Sequence, residues 1–234
     1  MLLPFLKWIQ SGKTTEFAEA VEANPSLAEW HDAQGISALM WSIYYQQPLV
    51  RDFLLAKLAE RGVKLDIFEA AATGNTVRLE EILASDPAAV QAYSPDGWTA
   101  LHLAAAFGTP QAALVLLQHG ANVSAVSKNP QRNQALHAAL SLGCNIELTT
   151  ILLNHGADPN AVQVGGFTPL FSAASSNRKD LAELLVLRGA NPNPANDAGK
   201  TPADFARERG HLDMAEWIES LPAGPAFHAF RGSN

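Results

Sequence analysis

The stretch TALHLAAAFG, residues 99–108, decides how the rest of the chain is read. It is a short, alanine-rich apolar run that stops at Phe107-Gly108, and a second apolar segment, Leu114-Val115-Leu116-Leu117, follows within a few residues. Glycine enters the left-handed backbone region without steric cost, so it suits a helix end that must turn sharply. The pattern predicts a helix, a tight turn and a second helix.

The pattern recurs. Leu101 to Leu136 is 35 residues, Leu136 to Leu170 is 34 and Leu170 to Ala203 is 33. Gly143 and Gly210 stand seven residues after Leu136 and Ala203, as Gly108 does after Leu101, and each precedes another apolar run, Ile151-Leu152-Leu153 or Met214-Ala215-Glu216-Trp217. Upstream, an offset of 62 residues sets Leu3 on Leu65, Gly12 on Gly74, Pro25 on Pro87, Gly35 on Gly97, Leu39 on Leu101 and Pro48 on Pro110 without a gap. A fixed period of this length marks an array of supersecondary units, none of which can hide its apolar side alone.

The expected fold is therefore an all-α solenoid of about seven helix pairs, near residues 1–30, 31–62, 63–92, 93–128, 129–162, 163–195 and 196–221. First helices are expected near 3–10, 37–45, 66–72, 99–107, 134–142, 168–176 and 201–209. The tail 222–234, with its prolines and glycines, cannot continue the pattern, and Phe227 and Phe230 are candidates to fold back over the last pair. Two irregularities stand out. Leu39 to Ile67 is only 28 residues, and one residue is added at Gly143-Cys144-Asn145.

Thr99-Ala100-Leu101-His102-Leu103-Ala104 and Thr168-Pro169-Leu170-Phe171-Ser172-Ala173 resemble the T-P-L-H-x-A signature of the ankyrin repeat, with looser copies at Gln134–Ala139 and Thr201–Ala206. The closing motifs His119-Gly120-Ala121-Asn122, His155-Gly156-Ala157-Asp158 and Arg188-Gly189-Ala190-Asn191 recur with them. This resemblance implies short β-hairpin arms between pairs, as at Ala92–Gly97, with a gap where Arg61-Gly62-Val63-Lys64 is too short for one. It also implies that His102 and His137 hydrogen-bond to backbone with the threonine position before them, whereas Met40, Phe171 and Asp204 replace the histidine in other copies.

The resemblance further implies that the residue before the signature threonine and the two before the inter-helix glycine face a concave groove. Those positions hold Ile36, Tyr44 and Tyr45, then Trp98, Ala106 and Phe107, then Phe167, Ser175 and Ser176. Exposed aromatic residues in a row suit a partner's anchor residues. Ile36, Tyr44, Tyr45, Trp98, Phe107 and Phe167 are thus the candidate partner-binding residues for a protein or peptide, while Trp41, in the place of Leu103, is expected in the core. The same surface would serve a scaffold or a regulatory subunit that occludes a partner enzyme.

The one stretch that suggests chemistry is Ser11-Gly12-Lys13-Thr14-Thr15, whose Gly-Lys-Thr ends like a phosphate-binding loop. Lys7 occupies the first glycine position of that motif, and the offset makes Gly12 the counterpart of Gly74, where no lysine follows. Gly12 reads as an inter-helix turn and Thr14 as the cap of the next helix. Glu16, Glu19, Glu22, Glu80 and Glu81 read as a solvated face, and no Ser–His–Asp set, CxxC pair or complete glycine-rich loop occurs. No enzymatic activity, cofactor or metal is expected.

Net charge is −7, with no lysine- or arginine-rich run, which argues against nucleic acid as partner. Only 17% of residues are charged, against roughly a quarter in an average soluble protein. Cys144 is the single cysteine, so no internal disulfide is possible; it reads as a turn residue. With a poor secretory signal and no long apolar run, a soluble cytoplasmic protein without membrane association is the expectation.

Overall fold

The computed structural model describes residues 3–107, 109–143 and 145–222. Among them are fourteen α-helices that follow one another two by two. Pair 1 is α1 (Leu3–Gln10) with α2 (Thr14–Ala23), pair 2 is α3 (Ala38–Tyr44) with α4 (Pro48–Glu60), and pair 3 is α5 (Ile67–Thr73) with α6 (Thr76–Ser85). Pair 4 is α7 (Ala100–Ala106) with α8 (Pro110–Gln118), and pair 5 is α9 (Ala135–Ala138) with α10 (Ile146–Asn154). Pair 6 is α11 (Pro169–Ser175) with α12 (Lys179–Leu187), and pair 7 is α13 (Pro202–Glu208) with α14 (Leu212–Ser220). The expectations for Gly108, for Cys144 and for the tail, including Phe227 and Phe230, lie outside the described residues.

First helices pack side by side from α1 to α13, and second helices follow as α2 on α4 and as α6, α8, α10 and α12 in turn. Alanine makes the first row possible. Ala70–Ala72, Ala104–Ala106 and Ala173–Ala174 are buried, and their small side chains let neighbouring backbones approach. Leucines fill the space beneath, with Leu39, Leu101, Leu116, Leu136, Leu148 and Leu170 all at 1% exposure or less. Each contributes about 1.5–3 kcal/mol by leaving water. One continuous cluster of buried residues runs from Phe5 to Ile218. Phe5 packs on Phe17 at 4.6 Å and on Trp30 at 5.5 Å, and Phe17 meets Phe53 of pair 2 at 6.2 Å, so pair 1 joins the same core.

The arms are present as tight turns, each spanned by a backbone hydrogen bond from Asp32 to Ile36, Ser94 to Trp98, Ser127 to Asn133, Gln163 to Phe167 or Asn196 to Lys200. Extended pairing among the described residues is limited to isolated bridges such as Tyr93–Thr99. From pair 4 onward each arm holds the next: Lys128 N–H donates to Gly97, Val164 to Gln131 and Asp197 to Gly165. Before pair 3, residues 61–66 run directly into α5 with no arm.

The missing arm accounts for the short interval before Ile67, and two pairs also differ in the length of their first half. From the N-cap of the first helix to that of the second, Ser37 to Gln47, Thr99 to Thr109, Thr168 to Arg178 and Thr201 to His211 are each ten residues apart. Asp66 to Asn75 is nine, so the first half of pair 3 is one residue short. Gln134 to Asn145 is eleven, and the surplus is taken up inside the first helix of pair 5 as a π-turn, Ala139–Gly143.

The 62-residue offset is geometric as well as textual. Gly12 and Gly74 both turn with positive φ, +66° and +74°. A Cβ on Gly12 would meet the side chain of Gln47, and one on Gly74 would meet Thr109, itself the counterpart of Gln47. Gly97 is more constrained: φ is +84°, and a Cβ would lie 2.8 Å from the backbone nitrogen of Asn129 in the next arm. Gly62 has a similar φ, +67°, with open space around it. Gly62→Ala is therefore expected to cost the backbone penalty alone, about 1–2 kcal/mol. Gly97→Ala should cost a further ~1–3 kcal/mol for displacing the arm. Urea unfolding of the two variants measures the difference.

Candidate protein-binding surface

Two histidines tie first helices to the following arm. His102 is fully buried, and its Nδ1 accepts from the Thr99 backbone N–H and lies 2.7 Å from Thr99 Oγ1. Its Nε2 lies 3.1 Å from the carbonyl oxygen of Asn133. A carbonyl only accepts, so the proton sits on Nε2. His137 repeats the arrangement, with Gln134 N–H on Nδ1 and the Phe167 carbonyl at 3.3 Å from Nε2. Both ring nitrogens are used, so neither histidine is free to act as a base.

The replacements separate the two halves of this role. Asp204 keeps the local half, accepting from Thr201 N–H and Oγ1 at 2.8 Å each. Phe171 keeps neither, and Thr168 Oγ1 is left buried without a hydrogen-bond partner. Met40 offers no ring nitrogen, and Ser37 Oγ instead donates 2.7 Å to the buried Glu69 of pair 3 while accepting from Met40 N–H. The other Glu69 oxygen accepts from Asp66 N–H, completing a capping box on α5. Sequence reasoning missed Asp66 and Glu69, although D-x-x-E ahead of an apolar run spells that box.

The expected groove residues fall into three groups. Ile36 is 9% exposed and belongs to the core cluster, with only its edge lining the crevice beside Tyr44. Tyr44, Tyr45, Trp98 and Phe107 are half-buried. Tyr44 is the hub: its hydroxyl donates to Asp96 Oδ2 at 2.6 Å, and its ring lies 5.9 Å from that of Phe107. Burial and then Asp96 push the Tyr44 hydroxyl well above the ordinary tyrosine range, so it stays a donor. Tyr45 accepts from Gln10 Nε2 at 2.7 Å, and Trp98 meets His102 edge-on at 5.5 Å. Phe167, the third group, leans on Phe171 and on Phe205 of pair 7, at 5.2 and 5.4 Å.

Trp41 departs from expectation. Leu103 is 1% exposed, whereas Trp41 is half-buried, stacked on Tyr45 at 5.4 Å and donating its indole N–H to Asp32 Oδ2 at 2.9 Å. An indole N–H needs an acceptor, and Asp32 in the arm supplies one outside the core. Ala106 is buried.

Tyr44 belongs to pair 2, but Asp96 and Phe107 belong to pair 4. The missing arm and shortened first half of pair 3 let its neighbours meet over it, with Pro95 within 3.5 Å of where a Cβ on Gly35 would sit. Beside this bridge a groove of about 610 Å³ opens over the end of α5, lined among others by Gln46, Gln47, Arg51, Asp52, Thr73 and Phe107. Neither the bridge nor the groove is visible from an aligned sequence, because both arise from what pair 3 lacks.

At the rival site, α1 occupies the place where a phosphate-binding loop has a strand. The N–H groups of Gly12, Lys13 and Thr14 donate to the carbonyls of Ile9, Trp8 and Gly12, at 3.2, 2.9 and 2.9 Å, so they do not point outward at an anion. Lys13 lies 3.6 Å from Glu16. Thr14 is the first residue of α2 and not its cap; Lys13 holds that position without a side-chain bond. Glu16, Glu19, Glu22, Glu80 and Glu81 are exposed. Among the described residues no helix is long and apolar enough to cross a membrane.

Burial lowers the pKa of His102 from 6.5 to about 4. The unfolded chain then binds more protons than the folded one between those values, so this stabilisation is complete above about pH 6.5 and is lost as pH falls toward about 4. Urea titrations across that window should show the wild type losing up to about 3 kcal/mol more than His102→Gln, which is itself weaker at neutral pH by about 1–3 kcal/mol. Parallel pH profiles would contradict the assignment.

A family model described as ankyrin repeats (3 copies) matches residues 67–163 and 145–221. The chain is 38% identical over 79 residues to the B-cell lymphoma 3 protein homolog of Mus musculus, covering 34% of this chain and 17% of that protein. It is 36% identical over 83 residues to the human BCL-6 corepressor-like protein 1, covering 36% of this chain and 4% of that protein. The chain thus spans a small part of both. It is also 29% identical over 178 residues to the probable 26S proteasome regulatory subunit p28 of Saccharomyces cerevisiae, covering 71% of this chain and 76% of that protein.

Proposed function

The chain belongs to the ankyrin-repeat family, and from that premise we propose that it is a protein–protein interaction module whose partner lies across the first helices and arms of pairs 2–4. The supporting observation is that Tyr44, Tyr45, Trp98 and Phe107 are all half-buried, with Tyr44 in ring contact with Phe107 and Phe107 lining an open groove. Aromatic side chains that are fixed on one side by packing and open on the other lose little entropy when a partner covers them. Phe167 extends the surface toward pair 7. The module acts without chemistry of its own, in the cytoplasm.

A second reading, a regulatory subunit that masks part of a larger assembly, is favoured by the yeast relative of similar length, whose name describes a regulatory subunit. Both readings use the same surface. They differ in whether the partner's own activity changes when the chain is added, which an assay of the captured partner with and without it decides.

Affinity capture from native lysate, comparing wild type with Trp98→Ala/Phe107→Ala, tests the surface itself. Each truncation is expected to weaken binding of the captured partner by about 1–3 kcal/mol. Loss of a ring contact should lower stability by less than about 1.5 kcal/mol, read by thermal melting. Unchanged binding by the double variant would place the partner elsewhere.

A further inference from the structure

The surface of pairs 2–4 has a charge pattern that narrows the kind of partner it fits, and this inference rests on the interaction reading above. A crevice at the arm end of the aromatic set is lined by His31, Tyr44, Asp66, Phe68, Pro95 and Asp96 among others. Asp32 stands at the root of the preceding arm, against Trp41. All three aspartates bond to neutral donors: Asp32 to the N–H groups of Gln34 and Ile36 and to the indole, Asp66 to Glu69 N–H, and Asp96 to the hydroxyls of Tyr44 and Ser94.

None of the three forms an ion pair among the described residues. The cations that do pair are engaged elsewhere, for example Lys57 with Glu22 and Glu60, Arg61 with Glu29, Arg78 with Glu81, and Arg207 with Glu219. The one arginine of the adjoining groove, Arg51, is held by Asp52 at 2.8 Å and adds no net charge there. The aromatic surface therefore carries three carboxylates that are oriented by neutral hydrogen bonds and have no ion-pair partner among the described residues. Asp66 and Asp96 line the same crevice as Tyr44.

A guanidinium or ammonium group suits such a place. It gains charge-assisted bonds to carboxylates already held in position, and its aliphatic stem covers aromatic faces. An acidic segment would meet uncompensated like charge, which costs affinity and slows encounter. We propose that the aromatic face of pairs 2–4 docks a basic segment of a partner protein, its Lys or Arg side chains set against Asp32, Asp66 and Asp96 and its apolar residues on Tyr44, Trp98 and Phe107.

The test uses the full chain and fluorescence anisotropy with three fluorescein-labelled peptides of equal length. Each is built from leucine and serine with arginine, glutamine or glutamate at regular positions. The arginine peptide is expected to bind, the other two at least about tenfold more weakly, with an affinity that falls as salt is raised. Asp66→Asn/Asp96→Asn should weaken the arginine peptide about tenfold. Asparagine still caps α5 and still accepts from Tyr44, so the fold is retained. Glu183→Gln/Asp213→Asn removes the same charge from α12 and α14 and should leave binding within about twofold.

Failure of the arginine peptide to bind, equal binding of all three peptides, or equal weakening by the two double variants would each overturn the basic-partner inference. The interaction reading is decided separately: if the peptides bind alike but Trp98→Ala/Phe107→Ala releases them, the docking surface stands and only its charge preference is lost.

Discussion

Every residue of α7 is buried, although the helix has only seven. A free helix of fewer than about 12–15 residues is marginal in water, so α7 exists because α5 and α9 cover its sides and α8 its base. The same holds along the row. Each pair supplies one wall of its neighbour's interior, and the core is continuous from Phe5 to Ile218 because no pair can close on itself. Alanines in the first helices set how near the pairs come, and leucines beneath them supply most of the burial.

Polar contacts keep this greasy stack in register. His102 and His137 each reach from a first helix to the arm of the next pair, and arm-to-arm bonds such as Lys128 to Gly97 repeat the tie on the surface. Where the histidine is absent, the chain uses other chemistry: Glu69 reaches back to Ser37, and at Phe171 an aromatic contact with Phe205 takes over while the Thr168 hydroxyl is left without a partner. Pair 3 is the exception that shapes the surface. Lacking an arm and one residue of its first half, it lets Tyr44 span to Asp96 and leaves the groove beside Phe107 open.

Much of the fold was legible because it is periodic. TALHLA and its copies mark the first helices, and the glycine pattern with its 62-residue offset marks the turns at Gly12, Gly74 and Gly210, though not at Gly143, which lies within the π-turn. The short interval before Ile67 announced the missing arm. The surplus residue near Gly143 was legible too, but its accommodation as a π-turn was not, since a loop and a helix bulge absorb one residue equally well on paper. The surface was half legible. Aromatic positions such as Trp98 and Phe107 follow from the repeat, yet Ile36 is buried and Trp41 only half-buried against the core, its indole N–H held by Asp32. The contact of Tyr44 with Asp96 spans 52 residues across a pair that each simply passes over, and no local pattern encodes it.

The dependence of each pair on its neighbours is tested most directly by isolating one. Far-ultraviolet circular dichroism of residues 93–128, the segment carrying pair 4, should show an unfolded chain, while the full-length protein gives a helical spectrum that melts cooperatively. A fragment that is helical and melts as a unit on its own would contradict the account, since its apolar faces would then need no neighbour to cover them.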